Sequence, residues 1–523
     1  MKFTGKLLVW TLTLLITLSL VSCNAPGKAE GPAPGYPNVN GSMEEDAYAP
    51  VSPEGDKEGE EGGDKLVENP FIATNQQNVS TFSADVDTAS YTYFRKLVAG
   101  SRYSWESLQR MGGSFRTEEF INYFRYNTTT PGEGELFGVD AQVVPCPWNP
   151  STVLMRLTLQ AARQENTVGN NLVFLIDVSG SMQSQDKLGL LKDSFSYLTQ
   201  SLTAMDTVSI VTYSGSERVV LEGCRGNDTQ RILNAIQSLT AYGSTNGEAG
   251  LTRAYEIAER YRIEGGNNRI IMASDGDLNV GITSQDELHD FVSQKRQTGI
   301  YLSVLGFGTG NYRDGKMETL ADNGNGAYHY IDGMSEAEKV FGTDLLGTLN
   351  TVAEDVKLQI TFDTQYVSSY RLIGYENRML NQEDFEDDTK DAGEVGAGHC
   401  VTVCYEMTLT ETAKSAEQPW MTLDVRYKNP GEALSLLNSY KIGAEYFSQV
   451  ADPDTAFVCT VIETVMLLRG SQYAKDLTLT DVLAALEAIE MDMAAYPDRA
   501  EFYGLLRGLH GGNGSTFDGN GGF

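Results

Sequence analysis

The segment LVFLIDVSGSM, residues 172–182, runs an unbroken apolar stretch into Asp177 and then into a small turn rich in hydroxyls. Ser179 and Ser181 stand two residues apart with Gly180 between them, so both side chains can turn toward one centre. Carboxylate and hydroxyl oxygens are hard donors, which suit Mg²⁺, Ca²⁺ or Mn²⁺ rather than a soft metal. Two later segments carry donors of the same kind. Thr245 lies in YGSTNGEAG ahead of a helical stretch, and Asp275 lies in IIMASDGDLNVG behind an apolar run.

Such a set works only if the chain brings it together. From about 168 to 350, short apolar runs (NLVFLID, TVSIVTYS, RIIMAS, IYLSVLGFG) alternate with amphipathic stretches. Runs apolar on both faces suit strands buried inside a parallel sheet. Leu188, Leu191, Phe195, Leu198 and Leu202 recur at helical spacing and supply a face to cover that sheet. The alternation predicts an α/β domain with a doubly wound, mostly parallel sheet. Ligands bind such sheets at the carboxyl ends of the strands, and Asp177, Thr245 and Asp275 all fall at that edge.

The constellation Asp177-x-Ser179-x-Ser181, Thr245, Asp275 resembles the metal-ion-dependent adhesion site (MIDAS) of von Willebrand factor type A (VWA) domains, with every element in order. The resemblance implies that the serines and the threonine contact a divalent cation, Mg²⁺ first and Ca²⁺ or Mn²⁺ as alternatives, and that the aspartates act through water. It also implies a protein partner whose Asp or Glu carboxylate completes the coordination. TFSADVDTASYTYFRKL and RTEEFINYF before the domain, and LLRGSQYAKDLTLTDVLAAL and YPDRAEFYGLLRGL after it, resemble the flanks of bacterial YfbK-like VWA lipoproteins.

The remaining segments divide by composition. Residues 1–22 carry Lys2, Lys6 and an apolar stretch too short to span a bilayer comfortably, and read as a signal peptide. Leu20-Val21-Ser22-Cys23 resembles the bacterial lipobox, which implies lipidation at Cys23 and an extracytoplasmic chain anchored to a cell or outer membrane. Residues 23–66, rich in Gly, Pro and acids, read as a disordered tether with a reach of roughly 35–40 Å. Residues 67–167 read as an α+β flanking region, 168–350 as the VWA domain and 351–447 as a β-rich domain. Residues 448–510 read as helical, with Val482, Leu486, Ile489 and Met493 on one face, and 511–523 as a glycine-rich tail. The strand-like VLMRLTLQAA and DVKLQITFD flank the α/β domain, so the expected architecture inserts 168–350 into one β-rich domain.

The formal net charge of −32 excludes a nucleic-acid role and makes a basic membrane-binding patch untenable. Besides Cys23 the cysteines are 146, 224, 400, 404 and 459, an odd set that cannot all pair. Cys400 and Cys404 on one strand would stand about 13 Å apart, beyond disulfide range, and with His399 they lack the tight turn of a zinc pair. In DVDTAS, residues 85–90, Ala89 replaces the threonine of a phosphatase-like motif. DGDLN, residues 275–279, lacks the glycine and glutamate of a calcium loop. The acidic run NQEDFEDDTKDAGE reads as a solvated loop. With His289, His329, His399 and His510 as its only histidines and no Gly-x-Ser-x-Gly elbow, the chain reads as a binding protein rather than an enzyme. A metal-stabilised envelope scaffold is the main alternative, and a hydrolase the lesser one.

Overall fold

The computed structural model describes residues 67–100, 103–164, 168–243, 247–276, 291–295, 298–308, 314–344, 347, 349–489 and 495–511. Its central sheet has six strands. Asn170–Asp177 lies in the middle, with Asn267–Ser274 and Thr207–Tyr213 parallel on either side. Tyr301–Phe307 and then Tyr328–Ile331 extend the first flank in parallel, and Glu217–Arg225 closes the other edge antiparallel. The chain reverses its winding at Asn170–Asp177, so the switch point of the sheet coincides with the strand that ends in Asp177.

Alternate residues of that strand serve two cores. Phe174 and Ile176 pack with Leu191, Phe195 and Leu198, while Val173 and Leu175 pack with Leu251, Ala254 and Tyr255. The rings of Phe174 and Phe195 stack with centroids 4.4 Å apart. The covering helix is Leu190–Leu198, preceded by a single π turn at Gln185–Gly189; Leu202 lies beyond its end and is partly buried.

Strands from both sides of this domain build one β-sandwich. Val153–Ala161 lies in a sheet with Phe137–Pro145, Cys400–Leu409, Val367–Ile373 and Ile72–Ala73. Thr351–Phe362 lies in a second sheet between Val79–Ser83 and Met421–Lys428. Met155, Leu157, Leu358, Ile360, Val403 and Trp420 fill the shared core. Where the chain leaves and re-enters the sandwich its segments touch, for the Asn350 side-chain amide donates to the Gln164 carbonyl at 2.6 Å. The α/β domain is therefore an insert whose two junctions lie side by side.

A third core joins the two ends of the described chain. Helices Ala89–Ala99 and Thr117–Tyr123 pack with Pro453–Arg469, Leu479–Ala488 and Pro497–His510 through Phe94, Phe120, Phe457, Leu486 and Phe502. Segments that read as separate N- and C-terminal regions thus interleave. Cys146, Cys224, Cys400, Cys404 and Cys459 are free thiols. The acidic run is mostly exposed, as expected of a solvated loop, with Phe385 buried, and it is locally ordered. Asn381 and Asp384 form a capping box on a 3-10 turn at Gln382–Phe385, the Lys357 ammonium donates to the Asp384 and Asp387 carbonyls at 2.9 and 2.5 Å, and Gly393–Gly396 adds a strand to Thr351–Phe362. Lysine capping of its carbonyls lets this acidic segment fold onto a sheet.

Candidate metal centre

Asp177 ends the central strand with its side chain fully buried. Its Oδ1 accepts the Ser179 backbone N–H at 2.8 Å, which fixes the turn that follows. The hydroxyls of Ser179 and Ser181 meet at 2.9 Å. On the neighbouring strand the Ser274 hydroxyl donates to Asp177 Oδ2 at 3.2 Å and itself accepts the Gly276 N–H at 3.2 Å. Burial pushes the Asp177 carboxyl up to about 6, against the hydrogen bonds from Ser179 that pull it down.

Asp275 follows directly, its side chain sealed from solvent. Its Oδ2 takes the Lys187 ammonium at 2.8 Å, and the same ammonium donates to the Ser181 carbonyl at 3.1 Å. Lys187 belongs to the π turn ahead of the covering helix, an irregularity often found at functional sites. Its stem runs past Gly308, where a Cβ would meet Lys187 Cε at 2.4 Å, and where φ is +78°. Glycine is required there on both counts.

The third loop is tied to the serine turn. Gly180 N–H donates to the Gly243 carbonyl at 3.0 Å, and Tyr242 N–H donates to the Val178 carbonyl at 2.7 Å. Thr245 itself lies outside the described residues, between Gly243 and the helix that starts at Gly247. The structure therefore brings Asp177, Ser179, Ser181 and Asp275 to one strand edge. Sequence reasoning missed Ser274 and Lys187. Ser274 adjoins Asp275 and could have been read as its neighbour on the same edge; for Lys187 a single sequence holds no signal.

The donors fit a hard divalent cation: two hydroxyls, a buried carboxylate whose hydrogen bonds come from neutral donors, and a second carboxylate already holding a cationic ammonium. Among the described residues the rival motifs show no comparable arrangement. Asp85 and Asp87 of DVDTAS are buried ahead of a helix, with Asp85 Oδ1 bonded to the Asp87 N–H. Burial raises the thiols of Cys400 and Cys404 to about 11 and about 12, the wrong direction for metal-binding thiolates. His329, His399 and His510 belong to other elements, and His289 and residues 277–279 of DGDLN lie outside the described residues.

Comparisons with known proteins match this architecture. Residues 172–277 fit the family model of the von Willebrand factor type A domain, 57–156 one described as von Willebrand factor, and 347–510 the C-terminal domain of the uncharacterized protein YfbK. YfbK of Escherichia coli K12 is 36% identical over 467 residues, covering 84% of this chain and 79% of its own. Human inter-alpha-trypsin inhibitor heavy chain H3 is 26% identical over 267 residues, 48% of this chain and 30% of its own. Among solved structures, a von Willebrand factor type A protein from Catenulispora acidiphila is similar with TM-score 0.43 and 16% identity, over 73% of this chain and 91% of that one. The ArnB paralog VWA2 from Sulfolobus acidocaldarius gives TM-score 0.35 and 15% identity, over 72% and 98%. VWA domains often bind a divalent cation at a metal-ion-dependent adhesion site. By its inserted α/β domain and its similarity to YfbK over most of both chains, this chain belongs to the YfbK family of von Willebrand factor type A proteins.

Proposed function

We propose that this chain is a lipid-anchored envelope protein that captures a protein partner through a divalent cation, Mg²⁺ foremost, held at the rim of its VWA domain. The observation that carries the reading is the convergence of Asp177, Ser179, Ser181 and Asp275 at the carboxyl edge of the sheet. Ser179, Ser181 and Thr245 would hold the ion, and Asp177 and Asp275 would orient the waters around it. A cation bound chiefly by neutral hydroxyls keeps residual charge, which supplies attraction for an Asp or Glu carboxylate on the partner. The chain's own residues are rigidly placed for this, because the buried strand fixes Asp177 and the Ser179 N–H fixes the turn. In this reading Ser181 serves as a ligand and not as a nucleophile. Cys23 would carry the lipid, and the acidic tether would hold the folded part off an extracytoplasmic membrane surface.

The test is capture of envelope proteins by the mature chain with Mg²⁺ and with chelator, beside the same experiment on Asp177→Ala. Capture that requires the cation and Asp177, from a chain whose melting is unchanged, supports the reading. Buried ion pairs that tie the insert to the helical body, such as Arg95 to Asp332 and Glu336 at 2.6 and 2.8 Å, favour a scaffold as the second reading. Metal-sensitive melting without metal-sensitive capture would select it.

A further inference from the structure

The base of the central sheet holds a positive charge that the rim site does not use. Arg269 stands near the start of Asn267–Ser274, opposite Tyr301 of the neighbouring strand, and is 2% exposed. Paired positions and alternate residues of a parallel sheet face the same side, so Arg269, Tyr301, Ser303 and, one strand further, His329 share one face. The Ser303 hydroxyl accepts Arg269 Nη1 at 2.6 Å and the Ala327 N–H at 3.4 Å. Thr351 Oγ1, where the chain has re-entered the sandwich, accepts Arg269 Nη2 at 3.1 Å. Thr351 pairs with Gly396, whose carbonyl accepts the His399 N–H at 3.1 Å. His399 is thereby brought to the same junction, packed so closely on Gly347 that a Cβ there would meet its Nε2 at 2.1 Å.

Donors there exceed their acceptors. A guanidinium carries five N–H groups. Those of Arg269 meet two hydroxyls and the Tyr301 ring, 5.3 Å from its centroid, while Nε is buried without a hydrogen bond. Independently, His329 is 5% exposed with neither ring nitrogen bonded, and His399 Nδ1 is buried and unbonded as well. The charged groups that act on His329 are His399, Arg269 and Lys339, all of them basic. Asp344 acts on His399, but Arg125 holds it in an ion pair. Among the described residues no carboxylate lies within ion-pair distance of Arg269. Glu394 acts on it from farther away, and burial holds the Glu394 carboxyl well above its usual range. A buried cation without a countercharge is costly, and burial lowers the Arg269 pKa to about 10.

We infer that Arg269, His329 and His399 form a binding site for one small monovalent anion, of the halide class, at the junction of the VWA domain and the sandwich. Arg269 supplies the positive charge and its Nε–H, and the neutral imidazoles supply further N–H donors. One guanidinium balances one negative charge, which favours chloride over phosphate or sulfate in a buried site. Arg269 and His329 belong to the insert and His399 to the sandwich, so a bound anion ties the base of the insert to its host. The site is separate from the rim and shares no residue with it.

The experiment follows urea unfolding of the full chain at neutral pH and constant ionic strength while chloride replaces gluconate, and locates bromide by anomalous scattering in crystals grown with that halide. An anion that binds only the folded chain stabilises it by mass action. The urea midpoint should therefore rise with chloride, and bromide should lie within hydrogen-bond distance of Arg269 Nε. In folded Arg269→Met the chloride dependence should vanish. Should that variant not fold, His329→Phe takes its place and should weaken the apparent chloride affinity at least tenfold, with circular dichroism confirming the fold. A midpoint indifferent to chloride overturns the inference, and so does equal chloride dependence in wild type and folded variant. Water in place of bromide beside Arg269 overturns it as well, and bromide there without any effect of chloride on stability is binding at crystal concentration only, which also overturns it.

Discussion

Lys187→Met tests the electrostatics of the rim directly. The Lys187 ammonium stands 2.8 Å from Asp275 Oδ2, with side chains 12% and 0% exposed. At that distance, with an effective dielectric constant of about 20, the gross attraction is about 6 kcal/mol. Desolvation offsets much of it, and removing one partner of such a buried pair typically costs about 3–5 kcal/mol. The loss falls on the metal-free chain, because a bound divalent cation supplies Asp275 with charge that the ammonium otherwise supplies. The substitution should therefore lower the stability of the metal-free chain and raise its affinity for Mg²⁺ at least tenfold, about 1.4 kcal/mol of that difference appearing as binding. Met keeps the length of the stem beside Gly308, so packing changes little. Calorimetric titration with Mg²⁺, beside denaturant titrations with and without the ion, measures both quantities. An affinity that is unchanged or weaker refutes the competition, and would mean that Lys187 assists the cation by holding the loop.

Four further outcomes are expected. Cys23→Ala should release a soluble or unprocessed form while the wild type partitions into detergent; equal partitioning of both removes the anchor. Asp177→Ala should abolish cation-dependent partner capture with the fold intact, and Thr245→Ala should weaken partner binding more than metal binding, read by surface-plasmon titration beside calorimetry. His329 is 5% exposed, neither ring nitrogen has a hydrogen bond, and burial lowers its pKa to about 3. The unfolded chain binds its proton near pH 6.5 and the folded chain does not, so its contribution to stability is full above that pH and is lost as pH falls toward 3. By pH 5 the loss is about 2 kcal/mol. His329→Phe should remove that part of the pH dependence in urea titrations at pH 7.5 and 5, and identical slopes for both chains would count against it. Comparing the two chains cancels the opposing effect of buried carboxyls such as Glu463, raised by burial to about 7.

What a single sequence reveals here follows the range of the interactions. Asp177, Ser179 and Ser181 are legible because their geometry is local: one backbone N–H, one turn and one buried strand set it. The apolar runs are legible because a strand covered on both faces has no polar alternation to confuse with a surface. The insertion could be suspected from strand-like segments on both flanks, but not the pairing, since Leu157 finds Val403 only across the whole inserted domain. Period-two alternation tells which side chains share a face and nothing about which strand lies alongside. Lys187 escaped for a related reason. Its partner Asp275 lies just past the end of another strand, and only a π turn aims the side chain there. The acidic run was legible as solvated, since most of its residues are exposed, but its local order was not, because the lysine contacts that hold it come from a distant strand.

The way the insert is held bears on what its rim can do. The edge strand Tyr328–Ile331 would be open to pairing with other chains, yet Asp87 occupies the Tyr328 N–H and the Arg95 guanidinium binds Asp332 and Glu336 just beyond the strand. At the opposite end of the strands from Asp177, the side-by-side junctions at Gln164 and Asn350 fix the base. Base and edge are thus committed to the rest of the chain, whereas the edge that carries Asp177, Ser181 and Asp275 is held by loops of its own domain. A domain joined only by its two junctions could swivel under load. Here a pull on the rim would pass into the sandwich and the helical body through buried ion pairs and hydrogen bonds as well.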